Sequence, residues 1–436
     1  MDDSLRFSYG PRSPRFVTDP ATRIAATLVW ATLGIGLILS PLGDFLSVYL
    51  ARSAASNGAD ARISLLVRGV MIAGLLAFTL SGFRARMSGV RITIAAVLAV
   101  CVTLGAYVLG ALTDREVIEQ SVFVLKVFSF FVYPAAMALL SDRRLAQIES
   151  VVFVVLSIYG ASIVMGAAMS IEMFRSYQAE THIRSGYKGI VYAQNEAAAL
   201  IVVALGFAYL HALIRGWSLR SVALAACMLV AAMLSGTKGG VVGALGMTCA
   251  YCYSRFDAIK ATRYVGMAIA ALVSTAILAY LFIPAVNDAA ELSLRYFSHQ
   301  GGRVGNGKIL TLLLSGRNLK FANVWDDLQQ GNFVALLTGG YPVVRYMVEI
   351  DIPDLMLMLG LPLFTVYLTA LSRAFLRRGP RTLSRRFGRL FFVVLFAMAS
   401  TAGHVLGSAV ISPFLALIAV MIRRDMQRAA RERVRS

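Results

Sequence analysis

The chain has 436 residues, 58% of them hydrophobic and only 15% charged, with a formal net charge of +19. Soluble globular chains carry about 25% charged residues, so a water-soluble protein is excluded. In a membrane protein the positive excess is first an orientation signal, and no nucleic-acid partner is expected.

Taken in chain order, apolar runs near the roughly 20 residues that about 30 Å of hydrocarbon requires fall at 22–40, 62–82, 92–111, 122–140, 149–169, 191–213, 221–235, 239–254, 264–284, 351–372, 389–404 and 406–422. They predict an all-α polytopic membrane protein of about 12 transmembrane helices, a single membrane domain over 1–436 with a basic tail at 423–436. Of these runs, 221–235, 389–404 and 406–422 are the shortest. The first follows a polar stretch without a small-residue cleavage signature, so it is expected to be a retained span. Lys126 and Arg68 fall inside spans, where a buried cation must find a partner. Glu119 and Glu149 are the acids nearest to Lys126 in sequence.

Placing the N-terminus in the cytoplasm puts 27 of the 42 Lys and Arg on the inside segments and 13 outside. The short loops then obey the positive-inside rule, and both termini are expected to be cytoplasmic. The loop Arg373–Arg389 and the basic tail are expected to rest on anionic lipid headgroups. Cys101, Cys227, Cys249 and Cys252 all lie in apolar spans. The CxxC spacing of Cys249 and Cys252 lacks the strand-helix setting of a redox motif and reads as packing.

Two outer loops, 170–190 and 285–350, are long and rich in charge and aromatics, as loops that carry sites on a rigid scaffold usually are. The segment 285–350 has helical spacing of Leu313, Phe321, Val324, Trp325 and Leu328, with Ser315 as a possible N-cap. The run from Gly302 to Lys308 has phosphate-loop spacing, but Ile309 replaces the hydroxyl residue that would hold magnesium. Glu349, Asp351 and Asp354 form the one acidic group outside the membrane able to attract a divalent ion. Asp351 and Asp354 equally suit capping of the helix that follows, and on that reading Asp354→Asn is tolerated.

Four stretches, taken in order, resemble the O-antigen polymerase and O-antigen ligase superfamily of lipid-linked glycan enzymes. They are Arg184-Ser-Gly-Tyr-Lys-Gly-Ile-Val-Tyr-Ala-Gln-Asn195, then Leu234-Ser-Gly-Thr-Lys238-Gly-Gly240, then Ser315-Gly-Arg317 with downstream Trp325, and Gly339-Gly340-Tyr341 followed by Glu349-Ile-Asp351. The resemblance covers roughly residues 180–370 at motif level. Lys238 stands where that family usually has Arg, and no histidine lies near 345–355, where the ligases place theirs. The second departure favours a polymerase of the exopolysaccharide type.

The resemblance implies a GT-C-like fold in the bacterial inner membrane, with 285–350 a large, partly helical periplasmic loop. It further implies a metal-independent glycosyltransferase that needs no cofactor and takes a glycan on undecaprenyl pyrophosphate as donor. Chain-length regulators or export proteins are the partners it suggests, besides membrane lipids. Arg184, Lys238, Arg345, Asn195 and Trp325 are then the substrate-binding candidates, with Arg317 and Lys238 placed to steady the departing pyrophosphate. Arginine meets phosphate with a planar fork and lysine with a point charge. Deprotonation of the attacking sugar hydroxyl falls to Glu349 or Asp351, which a neighbouring apolar span tunes by burial. The outer cations Arg175, Arg295, Arg303 and Lys308 read instead as headgroup contacts, and His182, His299 and His404 as incidental. Gly239 and Gly243 form a GxxxG pair that helix packing also explains. A ligase with another acceptor and a lipid-linked oligosaccharide flippase remain open. Against the flippase, the sequence lacks the internal repeat that transporters show.

Overall fold

The computed structural model describes residues 20–53, 63–81, 86–176, 186–282 and 314–435, together with positions 287, 291 and 311. Arg184, His182, His299, Arg295 and the whole 302–308 run lie outside the described residues.

Among the described residues, nine helices run in succession through the first two thirds: α1 Pro20–Ser53, α2 Ile63–Ser81, α3 Arg86–Val108, α4 Asp114–Met137, α5 Asp142–Ala168, α6 Gln194–Arg215, α7 Leu219–Leu234, α8 Lys238–Arg255 and α9 Ala258–Phe282. Then come α10 Arg317–Asp327, the short α11 Val334–Thr338, α12 Asp351–Phe375, α13 Leu383–Ala399 and α14 Ser412–Arg435. Among the described residues the only strand-like feature is an isolated bridge between Arg175 and Tyr187. The chain is thus an all-α multi-pass membrane protein: among the described residues seven helices, α1 to α6 and α12, are long and apolar enough to cross a membrane.

Two boundaries depart from the sequence reading. The first helix continues past Pro41 as far as Ser53 instead of ending at residue 40. The hydroxyls of Ser40 and Ser47 close back onto the carbonyls of Gly36 and Gly43 around the proline. At about 1.5 Å per residue its 34 residues outrun the bilayer core. The runs 389–404 and 406–422 become α13, a turn segment over 400–411, and α14, whose second residue is Pro413. Val405, Leu406, Val410 and Ile411 are buried without being helical. Apolar composition alone does not separate a buried turn from a helix.

At the centre stands α6, with an unbroken buried run from Ala197 to Leu210, packed by α7, α8, α13 and α14. A helix apolar on all sides belongs in a core, and this one places Asn195 and Glu196 at its first turn. Gly243 of α8 meets Val202 of α6 and Met398 of α13, whereas Gly239 faces open space. Only one glycine of the GxxxG pair therefore serves helix packing.

The alternating chain direction gives the bundle two ends. One gathers the ends of α1 and α3, the starts of α4, α6, α8 and α12, and the segments 314–350 and 400–411. The other gathers the starts of α1, α3 and α5 and the ends of α4, α12 and α14, where they line one cavity.

Candidate functional site

The loop-bearing end is organised by two aspartates at the start of α12. Asp351, 1% exposed, accepts backbone N–H groups from His404 at 2.6 Å, Val405 at 2.7 Å and Leu406 at 2.6 Å. Its own N–H donates to the Ala402 carbonyl at 3.3 Å. Asp351 therefore fixes the 400–411 segment through three of the roughly four acceptor sites of its carboxylate. Asp354 accepts from the backbone N–H groups of Val348 and Glu349, both at 3.0 Å. Sequence reasoning gave it the start of its own helix; the structure gives it the loop before that helix.

Glu349 needs that support, because its φ of 65° lies in the left-handed region that non-glycine residues seldom occupy. Gly403 packs backbone to backbone against it: a Cβ there would stand 2.9 Å from the Glu349 carbonyl carbon. The Glu349 carboxylate, with its side chain 40% exposed, takes the Lys320 ammonium at 2.6 Å and has the Arg317 Nε 3.8 Å away. The Arg317 guanidinium also donates to the Thr401 carbonyl at 3.1 Å. Arg317 and Lys320 are three residues apart on α10 and so share a face. That helix starts after Gly316, whose φ of 83° makes it the cap residue; Ser315 precedes the cap and does not form it.

The end of the loop is anchored twice. Arg345 grips Glu116 of α4 through two hydrogen bonds of 2.7 and 2.5 Å, and the hydrogen bond to that carboxylate raises its affinity for its proton further. Glu116 also accepts from the backbone N–H and hydroxyl of Thr113 at the same helix start. Arg345, a substrate-binding candidate in the sequence, thus ties the loop to α4. Tyr341 is buried and donates its hydroxyl to Asp327 at 2.8 Å; burial and that carboxylate push the phenol upward. Gly339 and Gly360, with φ of 81° and 74°, stand so close that a Cβ on Gly360 would lie 2.5 Å from the Gly339 nitrogen. Gly360 interrupts α12 here, and the freed carbonyls of Met358 and Leu357 accept from Gly340 and Tyr341.

A second group forms around the starts of α6 and α8. Tyr187 N–H donates to the Leu234 carbonyl at 3.0 Å, and the Gln194 amide to the Ser235 carbonyl at 3.2 Å. The first two sequence motifs therefore lie side by side. Lys238 is exposed in the first turn of α8, which Thr237 caps by accepting from Gly240 at 3.1 Å. Asn195 is half-buried in the first turn of α6. Lys188, absent from the sequence candidates, points its ammonium at the Tyr192 carbonyl at 2.5 Å. Burial, helped by nearby Arg52, lowers its pKa to about 8. Glu196 of α6 accepts from Ser408 at 2.9 Å, so the 400–411 segment links this group to Asp351 and Arg317.

Other candidates resolve differently. Trp325 is exposed on α10 and stacks with Phe321 at 6.3 Å. Arg175 pairs with Glu172 at 3.0 Å. Glu119 and Glu149 pair with Arg115 and Arg215. Lys126 instead lines a cavity of about 40 Å³ together with Asp44, Arg68, Tyr192 and Glu196. There Asp44 holds the Arg68 guanidinium and accepts from the Tyr159 hydroxyl at 2.5 Å, so the buried arginine of α2 has the partner that membrane burial demands. Among the described residues no three His, Cys, Asp or Glu gather as a metal site. In the acidic group at 349–354, backbone amides hold both aspartates and cations hold Glu349.

Sequence reasoning missed Lys320, Lys188 and the non-helical course of 400–411, and read His404 as incidental. The i,i+3 spacing from Arg317 was the available signal for Lys320; nothing local marks the others, which reach the site through tertiary folding. Compared with known protein families and with curated proteins, the chain gives no match.

Proposed function

We propose that the protein is a membrane glycosyltransferase that polymerises undecaprenyl-pyrophosphate-linked oligosaccharide repeat units into surface polysaccharide on the periplasmic side of the inner membrane. The observation that carries the reading is one carboxylate, Glu349, set between two cations of a single helix face, Arg317 and Lys320, at the loop-bearing end. The motif resemblance to the O-antigen polymerase and ligase superfamily supplies the chemistry.

On this reading the acceptor hydroxyl attacks the anomeric carbon of the donor sugar. The bond to the pyrophosphate oxygen breaks with its electron pair, and the hydroxyl proton passes to Glu349. Arg317, with Lys238 and Lys188 from the neighbouring group, offsets charge on the departing pyrophosphate; such fixed charge acts most where it develops in the transition state. Arg345, engaged with Glu116, shapes the loop instead of touching phosphate.

Deleting the protein and identifying the lipid-linked species that builds up tests this. Single repeat units facing the periplasm are expected. Accumulation of full-length lipid-linked polymer would assign a ligase, and repeats left facing the cytoplasm a flippase; either contradicts the proposal.

A further inference from the structure

At the end of the bundle opposite Glu349, the helix ends enclose a cavity of about 1090 Å³. Nine arginines and a single acid, Asp142, line it. Asp142 is already engaged with Arg424 and Arg428, at 2.5 and 3.2 Å. Arg424 also donates to the carbonyls of Leu140 and Met137, so it locks α14 to the turn between α4 and α5. Arg91, Arg373, Arg423 and Arg431, from α3, α12 and α14, make no ion pair or side-chain hydrogen bond among the described residues. Burial and the neighbouring guanidinium groups of Arg423 and Arg428 lower the Arg424 pKa, a mark of like-charge crowding. The lining also includes apolar residues: Phe130, Phe131 and Pro134 of α4, Ile92 of α3 and Ala374 of α12.

The geometry points to a binding site for an anionic phospholipid, its phosphate headgroup held by the unpaired arginines and its acyl chains laid along the aromatic and aliphatic wall of α4. Three features carry this. Uncompensated guanidinium groups converge from three helices onto one volume, and guanidinium forks suit phosphate oxygens. The lining joins arginines to aromatic and aliphatic side chains, the combination an amphiphile needs and a free anion does not. Basic pockets between membrane helices bind anionic lipid headgroups, and a basic residue near an anionic membrane surface contributes about 1 kcal/mol, or about fivefold in affinity. The site is independent of the glycan chemistry at the other end.

The test titrates the full chain in detergent with short-chain phosphatidylglycerol, phosphatidylcholine and inorganic pyrophosphate, reading binding by native mass spectrometry. Phosphatidylglycerol should bind tightest. The double variant Arg373→Gln with Arg423→Gln should weaken it about twenty-five-fold, at about fivefold per arginine. Arg255→Gln, an exposed arginine at the same end but outside the cavity, should leave binding unchanged. If the first double variant does not fold, Arg91→Gln with Arg431→Gln draws on other helix positions and should show the same loss. Equal binding of pyrophosphate would make the ligand a soluble anion, and equal loss from Arg255→Gln would make the attraction a diffuse surface effect; either overturns the lipid site.

Discussion

Asp354 shows how far a single residue's role shifts between sequence and structure. From the sequence it is a helix-start carboxylate whose amide should serve as well. In the structure both its oxygens are used, one by Val348 and one by the left-handed Glu349. An amide has one acceptor oxygen, so Asp354→Asn turns an N–H donor toward one of these two backbone donors. A buried donor left without an acceptor costs about 1–3 kcal/mol, and the backbone of Glu349 loses what holds it at positive φ. Asp354→Asn should therefore lower the melting temperature of the purified protein and reduce polymer output together; wild-type values for both would show that Asp354 does not hold Glu349. Glu349 and Arg317 were legible because charged and Gly-Arg motifs stand out in a loop. The structural roles of Asp351 and Arg345 were not, because their partners lie 53 and 229 residues away.

At the scale of elements, the helices were legible wherever long apolar runs lacked competing signals, and α2 to α6 start or end within a few residues of those runs. Reading failed where local cues misled. The first apolar run was read as ending at residue 40, but α1 runs on through Pro41 to Ser53. The apolar run 406–422 was read as one span, but its first residues, up to 411, pack as a turn, and Asp351 accepts the amides of Val405 and Leu406 at its entry. The break in α12 rests on the contact of Gly339 with Gly360, where neither position has room for a Cβ. Gly339→Ala adds about 1–3 kcal/mol of backbone strain to that collision, so it should destabilise the protein strongly and displace the loop 341–350. Gly239→Ala, which meets nothing within 4 Å, should be near neutral in the same thermal melt. Equal effects of the two would remove the Gly339–Gly360 contact from the account of how α12 is broken.

Across the whole molecule, charge and chemistry separate by end. The arginine-lined cavity occupies one end, while the other carries Glu349, Arg317, Lys320, Lys188 and Lys238 on segments joined through 400–411. If the arginine-rich end faces the cytoplasm, as the positive-inside rule predicts, the proposed chemistry falls on the outer face, where a flipped lipid-linked donor would present its sugar. The division was legible from the distribution of Lys and Arg; the convergence of four separate motifs on one end was not, because it depends on how α6, α8 and α12 pack. The measurement that tests the central claim most directly is polymerisation by the purified protein reconstituted in lipid with a polyprenyl-pyrophosphate-linked repeat unit, wild type against Glu349→Gln. General acid-base groups contribute about 10²–10⁴-fold, so the account predicts that the wild type builds chains while Glu349→Gln binds the donor and is slower by at least about a hundredfold. Chains of normal length made at the normal rate by Glu349→Gln would contradict it.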